Sequence, residues 1–315
     1  MNPKKIIKGT IYNSMFRFVR TPCKVLIIND GALGDFIHGL PFVNVLKDAG
    51  YDITILTNEK FKSRLGYKIT DNYDIIDDKS FKMIFLMNEK VHYKKYWFKN
   101  VFDFNARRSV LKGLGMWKEK HWADFYLFWV EDFLKKKIKY KHFYKSTKED
   151  IVFHPGSSNS EKNWDIQNFI DVYKAIKYDN KYFIIGPDDK HLIPHLEYYN
   201  CDYIVSDSIN QLLEIASKTM LFIGNDSGVG HVFSLFDIKI LSIFTIGCGE
   251  THFPFNKNAV FYFDYHVFKK YLVMKKIIKI KLTSSLVIHI INKILNDQDI
   301  CFYNVYYAKN KAKHL

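Results

Sequence analysis

Glycine, proline and cysteine are scarce in this chain: 15, 7 and 4 of 315 residues. With so few glycines and prolines and no short repeating period, collagen-like, coiled-coil and low-complexity classes are excluded. The cysteines (Cys23, Cys201, Cys248 and Cys301) show no C-x-x-C spacing. That argues against a zinc site or a disulfide frame and for reduced thiols in a cytoplasm. Long apolar runs are missing too, since stretches such as Val25 to Ile28 are far too short to span a bilayer. No apolar core of signal-peptide length follows the opening Met-Asn-Pro-Lys-Lys-Ile-Ile-Lys, so the expectation is a cytoplasmic protein.

What is present is a globular composition, 48% hydrophobic and 25% charged, in a chain long enough for one large domain or two ordinary ones. Lys and Arg total 47 against 33 Asp and Glu, a formal net charge of +14. Such an excess calls for an acidic partner: nucleic acid, an anionic membrane face or phosphorylated substrates.

The chain alternates strand and helix. Cys23 to Asp30 reads as a β-branched strand, stopped by the turn Gly31-Ala-Leu-Gly34. Phe36, Ile37, Leu40, Val43 and Leu46 then recur at helical spacing up to Gly50, and Tyr51 to Leu56 reads as a second strand. This is a βαβ unit and implies a parallel sheet. Lys82 to Met87 and Asn100 to Phe104 look like further strands, whereas residues 112–148 are aromatic and basic with little periodicity. The alternation restarts at Asp150 to Phe153 and runs through helices at Asp165 to Lys177, Ile209 to Lys218 and Gly230 to Phe236. Strands are expected at Tyr182 to Ile185, Met220 to Ile223 and Ile238 to Phe244, with a last helix over Leu286 to Leu295. The reading is two Rossmann-like α/β domains, 1–148 and 149–315, facing each other across a cleft, with the last helix free to pack back on the first domain. Ligands are expected where loops leave the C-terminal ends of the strands.

Three such loops carry polar residues. The first, Gly31 to Pro41, lacks the G-x-G-x-x-G fingerprint, which weakens a dehydrogenase reading. It places Asp35 in the first turn of a helix. There it serves either as an acidic residue favoured by the helix dipole or as a general base for a hydroxyl nucleophile. The second, His154 to Trp164, joins Gly156, Ser157, Ser158 and Lys162 just before a helix: a phosphate site, or a Ser/Gly turn with a solvated lysine. In the third, Gly224 to His231, Asp226 is either a helix N-cap or an acceptor for sugar hydroxyls. Ser227 and Gly228 stand where a strand gives way to a helix starting near Gly230, and His231 is either a packing residue or a donor contact.

Taken in order, these loops resemble the motifs of glycosyltransferase family 9, the ADP-heptose:lipopolysaccharide heptosyltransferases. The matching pieces are Lys24-Val-Leu-Ile-Ile with Leu33-Gly-Asp35-Phe-Ile-His38-Gly-Leu-Pro41, then His154-Pro-Gly-Ser-Ser with Glu161-Lys162-Asn-Trp164, then Phe222-Ile-Gly-Asn-Asp226-Ser-Gly228-Val-Gly-His231. The resemblance spans roughly residues 23 to 295. It implies a GT-B fold and inverting, metal-independent transfer of a sugar from a nucleotide-sugar, with no further cofactor. Asp35 matches the catalytic base, and Ser157, Ser158, Lys162, Asp226, Ser227, Gly228 and His231 match donor contacts. Gly34, His38 and, in a looser match through Asp103 to Ser109, Arg108 fall on the acceptor side. The absence of a D-x-D segment fits metal independence; Asp77-Asp78, the nearest approach, reads as a solvated turn. One departure is Phe244-Thr-Ile-Gly247-Cys-Gly-Glu250-Thr251, which lacks the proline of the family's Phe-Gly-Pro-Thr-like turn and leaves donor identity open.

The leading expectation is therefore a transferase moving heptose from ADP-heptose to a lipopolysaccharide core or related surface glycan. Its partners would be the nucleotide-sugar, an acidic lipid-linked glycan and the anionic inner face of the plasma membrane, where residues 1–20 could lie. The alternatives are a family 9-like enzyme using another nucleotide-sugar for capsule or glycoprotein glycans, a nucleotide-sugar epimerase, and a basic nucleic-acid-binding protein. The last is disfavoured because the aromatics fall mostly in core elements and no RRM, KH or helix-turn-helix signature occurs.

Overall fold

The computed structural model describes residues 19, 21–57, 65–87, 100–113, 121–138, 144–245, 252–256, 259–263, 282–296 and 306–307. The basic N-terminal stretch and the 246–251 turn singled out above lie outside the described residues. The chain divides into two compact units, Met1–Tyr140 and Lys141–Leu315.

The first unit holds β1 (Lys24–Ile28), α1 (Leu33–Asp48), β2 (Asp52–Leu56), β3 (Lys68–Thr70), β4 (Met83–Leu86), β5 (Val101–Asp103), α2 (Phe104–Gly113) and α3 (Trp122–Leu134). Its sheet runs in the order β3-β2-β1-β4-β5 with every pairing parallel. A parallel strand covered on both faces reads as an unbroken apolar run, and Val25, Leu26, Ile27 and Ile28 are all fully buried. Phe42 of α1 meets Phe85 and Phe104 edge-on at 5.0 and 5.1 Å, favourable aromatic geometry.

Helix α3 lies in the stretch that shows no sequence periodicity. Trp-Ala-Asp-Phe-Tyr-Leu-Phe-Trp-Val is apolar around most of its circumference, so no polar stripe marks a face. His121 caps it, with Nδ1 accepting from Ala123 N at 3.0 Å, and Lys135 ends it in the left-handed conformation.

The second unit holds β6 (Asp150–His154), α4 (Ile166–Ala175), β7 (Lys181–Ile185), α5 (Ile193–Tyr198), β8 (Tyr203–Val205), α6 (Ile209–Ala216), β9 (Thr219–Asn225), α7 (Gly228–Phe233), β10 (Lys239–Phe244), β11 (Ala259–Phe263), α8 (Ser284–Leu295) and β12 (Tyr306–Tyr307). The sheet order is β12-β11-β10-β9-β6-β7-β8, parallel except for β12. Strands β6 to β11 thus repeat the 3-2-1-4-5-6 order of a dinucleotide-binding fold. Helix α8, read as free to reach back to the first domain, buries Val287, Ile290, Ile291 and Ile294 in this unit's own core beside Phe169 and Ile170 of α4. The division between units falls before the polar segment at 145–150, because that segment is already tied to the second unit. Tyr144 N bonds to Leu235 O, Ser146 N to Asp237 Oδ1, and Thr147 N to Ser217 O.

Truncating a fully buried α8 side chain leaves a cavity that the sheet cannot close. Ile290→Ala is expected to destabilise the second unit by about 2–5 kcal/mol, read as a lower urea midpoint at unchanged slope.

Candidate active site

In each sheet the strand order reverses once, between β1 and β4 and between β6 and β9. Crossovers there leave on opposite faces, so the loops at the C-terminal ends diverge and leave room for a ligand. All three polar loops of the sequence emerge at these points.

In the first unit, Asn29 follows β1 and is buried. Its Nδ2 donates to the carbonyl of Asp35 at 3.1 Å, and Thr57 Oγ1 donates to the Asn29 carbonyl at 2.6 Å. The chain then turns through Gly31 into α1. Asp35 Oδ2 accepts from Ala32 N at 3.1 Å, a carboxylate reaching back over the first turn of its helix. A Cβ on Gly31 would sit 2.7 Å from Asp35 Cβ, so only glycine lets the carboxylate fold back this way. Asp35 is exposed and Gly34 half-buried in the same turn. His38, one turn on, is buried and edge-on to His121 at 4.7 Å, so its ring packs inside the unit. Arg108 lies 3.7 Å over the Trp122 ring, which stacks on Tyr126 at 5.8 Å. Burial pushes the Tyr126 phenol far up, with the Asp35 charge adding to the effect and Arg108 opposing it. Asp35, Arg108, Trp122 and Tyr126 thereby share one neighbourhood. Asp77-Asp78 lies in a solvated turn, where Asp78 Oδ1 accepts from Ser80 N and Asp78 pairs with Lys24 at 3.3 Å; the Ser80 bonds hold its carboxyl down at about 2.

In the second unit, the loop after β6 meets the loop after β9. Lys162 Nζ and Asp226 Oδ2 are 2.7 Å apart, with side chains 32% and 9% exposed. Asp226 is thus an ion-pair partner, and the N-cap of α7 is Ser227, whose Oγ accepts from Gly230 N at 3.4 Å. Ser157 Oγ is held within its own loop, 2.6 Å from Asn159 O and 2.7 Å from Asn163 Oδ1, whereas Ser158 is exposed. His231 is buried on α7, beside Gly228 in its first turn. Beneath the loop, a Cβ on Gly156 would come within 2.0 Å of Asp189 Oδ2, so the backbone rests directly on that carboxylate. Asp189 and Asn225 are contributors that motif reading did not single out. Asn225 sits inside the Gly-Asn-Asp-Ser-Gly run, but nothing in Asp189's surface-like Pro-Asp-Asp-Lys context marks it as buried. Among the described residues no group of three His, Cys, Asp or Glu gathers to hold a metal, and no helix is long and apolar enough to cross a membrane.

Two parallel-sheet units, each with its polar residues at the strand-order reversal, define a GT-B fold of the glycosyltransferase class. The family model described as glycosyltransferase family 9 (heptosyltransferase) matches residues 41–275, and the chain belongs to that family. The matched span covers the Lys162 and Asp226 loops and begins after Asp35. A family 9 glycosyltransferase of Veillonella parvula is similar in structure at 18% identity and a TM-score of 0.65, covering 88% of this chain and 98% of that one. Heptosyltransferase WaaC of E. coli, solved with ADP-2-deoxy-2-fluoro heptose, follows at 14% identity, TM-score 0.61 and 86% and 99% coverage. ADP-heptose LPS heptosyltransferase II of E. coli gives 12%, 0.59, and 87% and 99%. No curated protein sequence matches the chain.

The buried pair under the loop after β6 carries a pH signature. Burial holds the His154 ring below its ordinary 6.5, opposed by Asp189 and by the bond from Nδ1 to the Ile184 carbonyl. Burial likewise raises the Asp189 carboxyl above 3.8, opposed by His154. The lowered histidine makes stability rise with pH up to its unfolded value; the raised carboxyl makes stability fall as pH rises through its folded value. The two slopes oppose each other. Asp189→Asn removes the second, so urea midpoints are expected to climb more steeply with pH between the two ordinary values than in the wild type. An unchanged profile would mean that Asp189 holds no buried charge.

Proposed function

We propose that this glycosyltransferase is inverting and metal-independent, and moves heptose from ADP-heptose to a lipopolysaccharide core or related surface glycan. The observation that carries the reading is the 2.7 Å pair of Lys162 with the nearly buried Asp226 at the β6/β9 reversal. A diphosphate competes for the Lys162 ammonium, and Asp226 cannot be left unpaired in so buried a place without a cost of several kcal/mol. Sugar hydroxyls answer that need by donating to Asp226. Diphosphate and sugar are therefore recognised together.

Asp35 acts as the base in this reading. Its carboxylate takes the proton of the acceptor hydroxyl as that oxygen attacks the anomeric carbon from the face opposite the leaving group. The bond from that carbon to the diphosphate breaks, configuration inverts, and Lys162 meets the charge of the departing nucleoside diphosphate. Ser158 and the α7 opening, Ser227 and Gly228, complete the donor side, with His231 packing behind them. Gly34 and Arg108 line the acceptor side, supported by His38. Arg108 and the net charge of +14 suit an acidic, lipid-linked acceptor at the cytoplasmic face of the membrane, where the protein works as a peripheral enzyme. A second reading, a different nucleotide-sugar for capsule or glycoprotein glycans, is favoured by the proline-free Phe244–Thr251 turn.

Incubation with ADP-, GDP- and UDP-sugars and core-oligosaccharide acceptors, followed by product analysis, decides between these donors. Asp35→Asn is expected to lower turnover by about 10²–10⁴-fold with donor affinity nearly unchanged; near-wild-type turnover would remove Asp35 from the base role. Lys162→Ala should weaken nucleoside diphosphate binding roughly ten- to a hundredfold by titration calorimetry, and unchanged affinity would count against the phosphate contact.

A further inference from the structure

Lys162 sits on a loop running from Pro155 to Trp164, with only a short 3-10 turn at Ser160–Lys162 to stiffen it. What ties both ends of that loop is one side chain from the other strand of the reversal. Asn225 ends β9 and is fully buried. Its Nδ2 donates to the Pro155 carbonyl at 2.6 Å, and its Oδ1 accepts from Trp164 N at 3.0 Å. One planar amide therefore ties the loop at its first and last residues. A second tie comes from just beyond β10, where Thr245 Oγ1 donates to the Glu161 carbonyl at 2.7 Å, one residue before the lysine. The backbone of Asn225 is also continuous with Asp226, so the residue that pins the loop carries the carboxylate that Lys162 pairs with.

We propose that Asn225 is a positioning residue for donor recognition, and that it acts through Lys162. Two parallel strands bring Lys162 and Asp226 to the same edge, and the Asn225 clamp, with Thr245 as its second tie, sets the loop at the height where the ammonium reaches the diphosphate and the carboxylate at once. This rests on the donor-site reading above. An apolar residue of similar size at 225 leaves the Pro155 carbonyl and Trp164 amide without partners, and the loop must shift to find others.

The test is a double-mutant cycle on ADP binding. Asn225→Leu is expected to raise the ADP Kd roughly tenfold, and Lys162→Ala in that background should add less than about twofold, because the lysine is already misplaced. A full additional loss from Lys162→Ala, or unchanged ADP affinity in Asn225→Leu, overturns the proposal. If Asn225→Leu shows no cooperative melting transition, Thr245→Val decides instead, since it loosens the same loop from outside the core. It should weaken ADP binding about threefold and be less than additive with Lys162→Ala; strict additivity overturns the proposal. The donor-site reading fails separately, if the wild-type protein binds none of ADP, GDP and UDP or if Lys162→Ala alone changes nothing.

Discussion

Parallel pairing of β6 with β9, and of β1 with β4, is the constraint from which the rest follows. A parallel pair cannot close through a hairpin and needs a crossover. The residues meeting at its C-terminal end are therefore far apart in sequence: Asn225 and Pro155 are separated by 70 positions yet share a hydrogen bond. The close approach also restricts composition. A Cβ on Gly224 would come within 2.9 Å of the His154 carbonyl, so β9 carries a glycine where it passes β6, immediately before the residue that clamps the loop. Apolar burial holds the sheet together, and the sheet in turn decides which polar groups face one another.

Polar groups at the second reversal are arranged so that almost none stands alone. Asn225 uses both ends of its amide, Ser157 is engaged inside its loop, and Lys162 and Asp226 neutralise each other. Such a network is rigid because each lost bond strands a buried partner. The His154–Asp189 couple extends the same logic one layer down: Gly156 lies on the Asp189 carboxylate, so the floor of the loop is itself a partly compensated charge. A site preorganised in this way stabilises incoming charge without first reorienting its own dipoles.

Much of this was legible in the sequence because parallel strands buried on both faces leave an unmistakable mark. Lys24–Ile28, Asp150–His154 and Lys239–Phe244 read as apolar runs and fold as such. The short β3, Lys68–Thr70, has no such mark, and α3 hid because aromatic residues cover most of its circumference. At the site, the motif order pointed to Lys162 and Asp226 but not to their mutual pairing, since a lysine 64 positions from an aspartate gives no local signal. Of the two readings left open for Asp226, the N-cap one does not hold: Ser227 caps α7 and Asp226 pairs with Lys162.

In the proposed reaction, a structural and a chemical role of Asp35 coincide instead of competing. Its Oδ2 is committed to Ala32 N, the ordinary duty of an acidic residue in the first helical turn. That bond, which the glycine at 31 permits, restricts the torsions of an exposed side chain. A carboxylate free to rotate would lose orientational entropy each time it engaged an acceptor hydroxyl; one held by its other oxygen has already lost it. On the proposed reading, that bond is the means by which an exposed aspartate on a helix end gains the direction that a base requires.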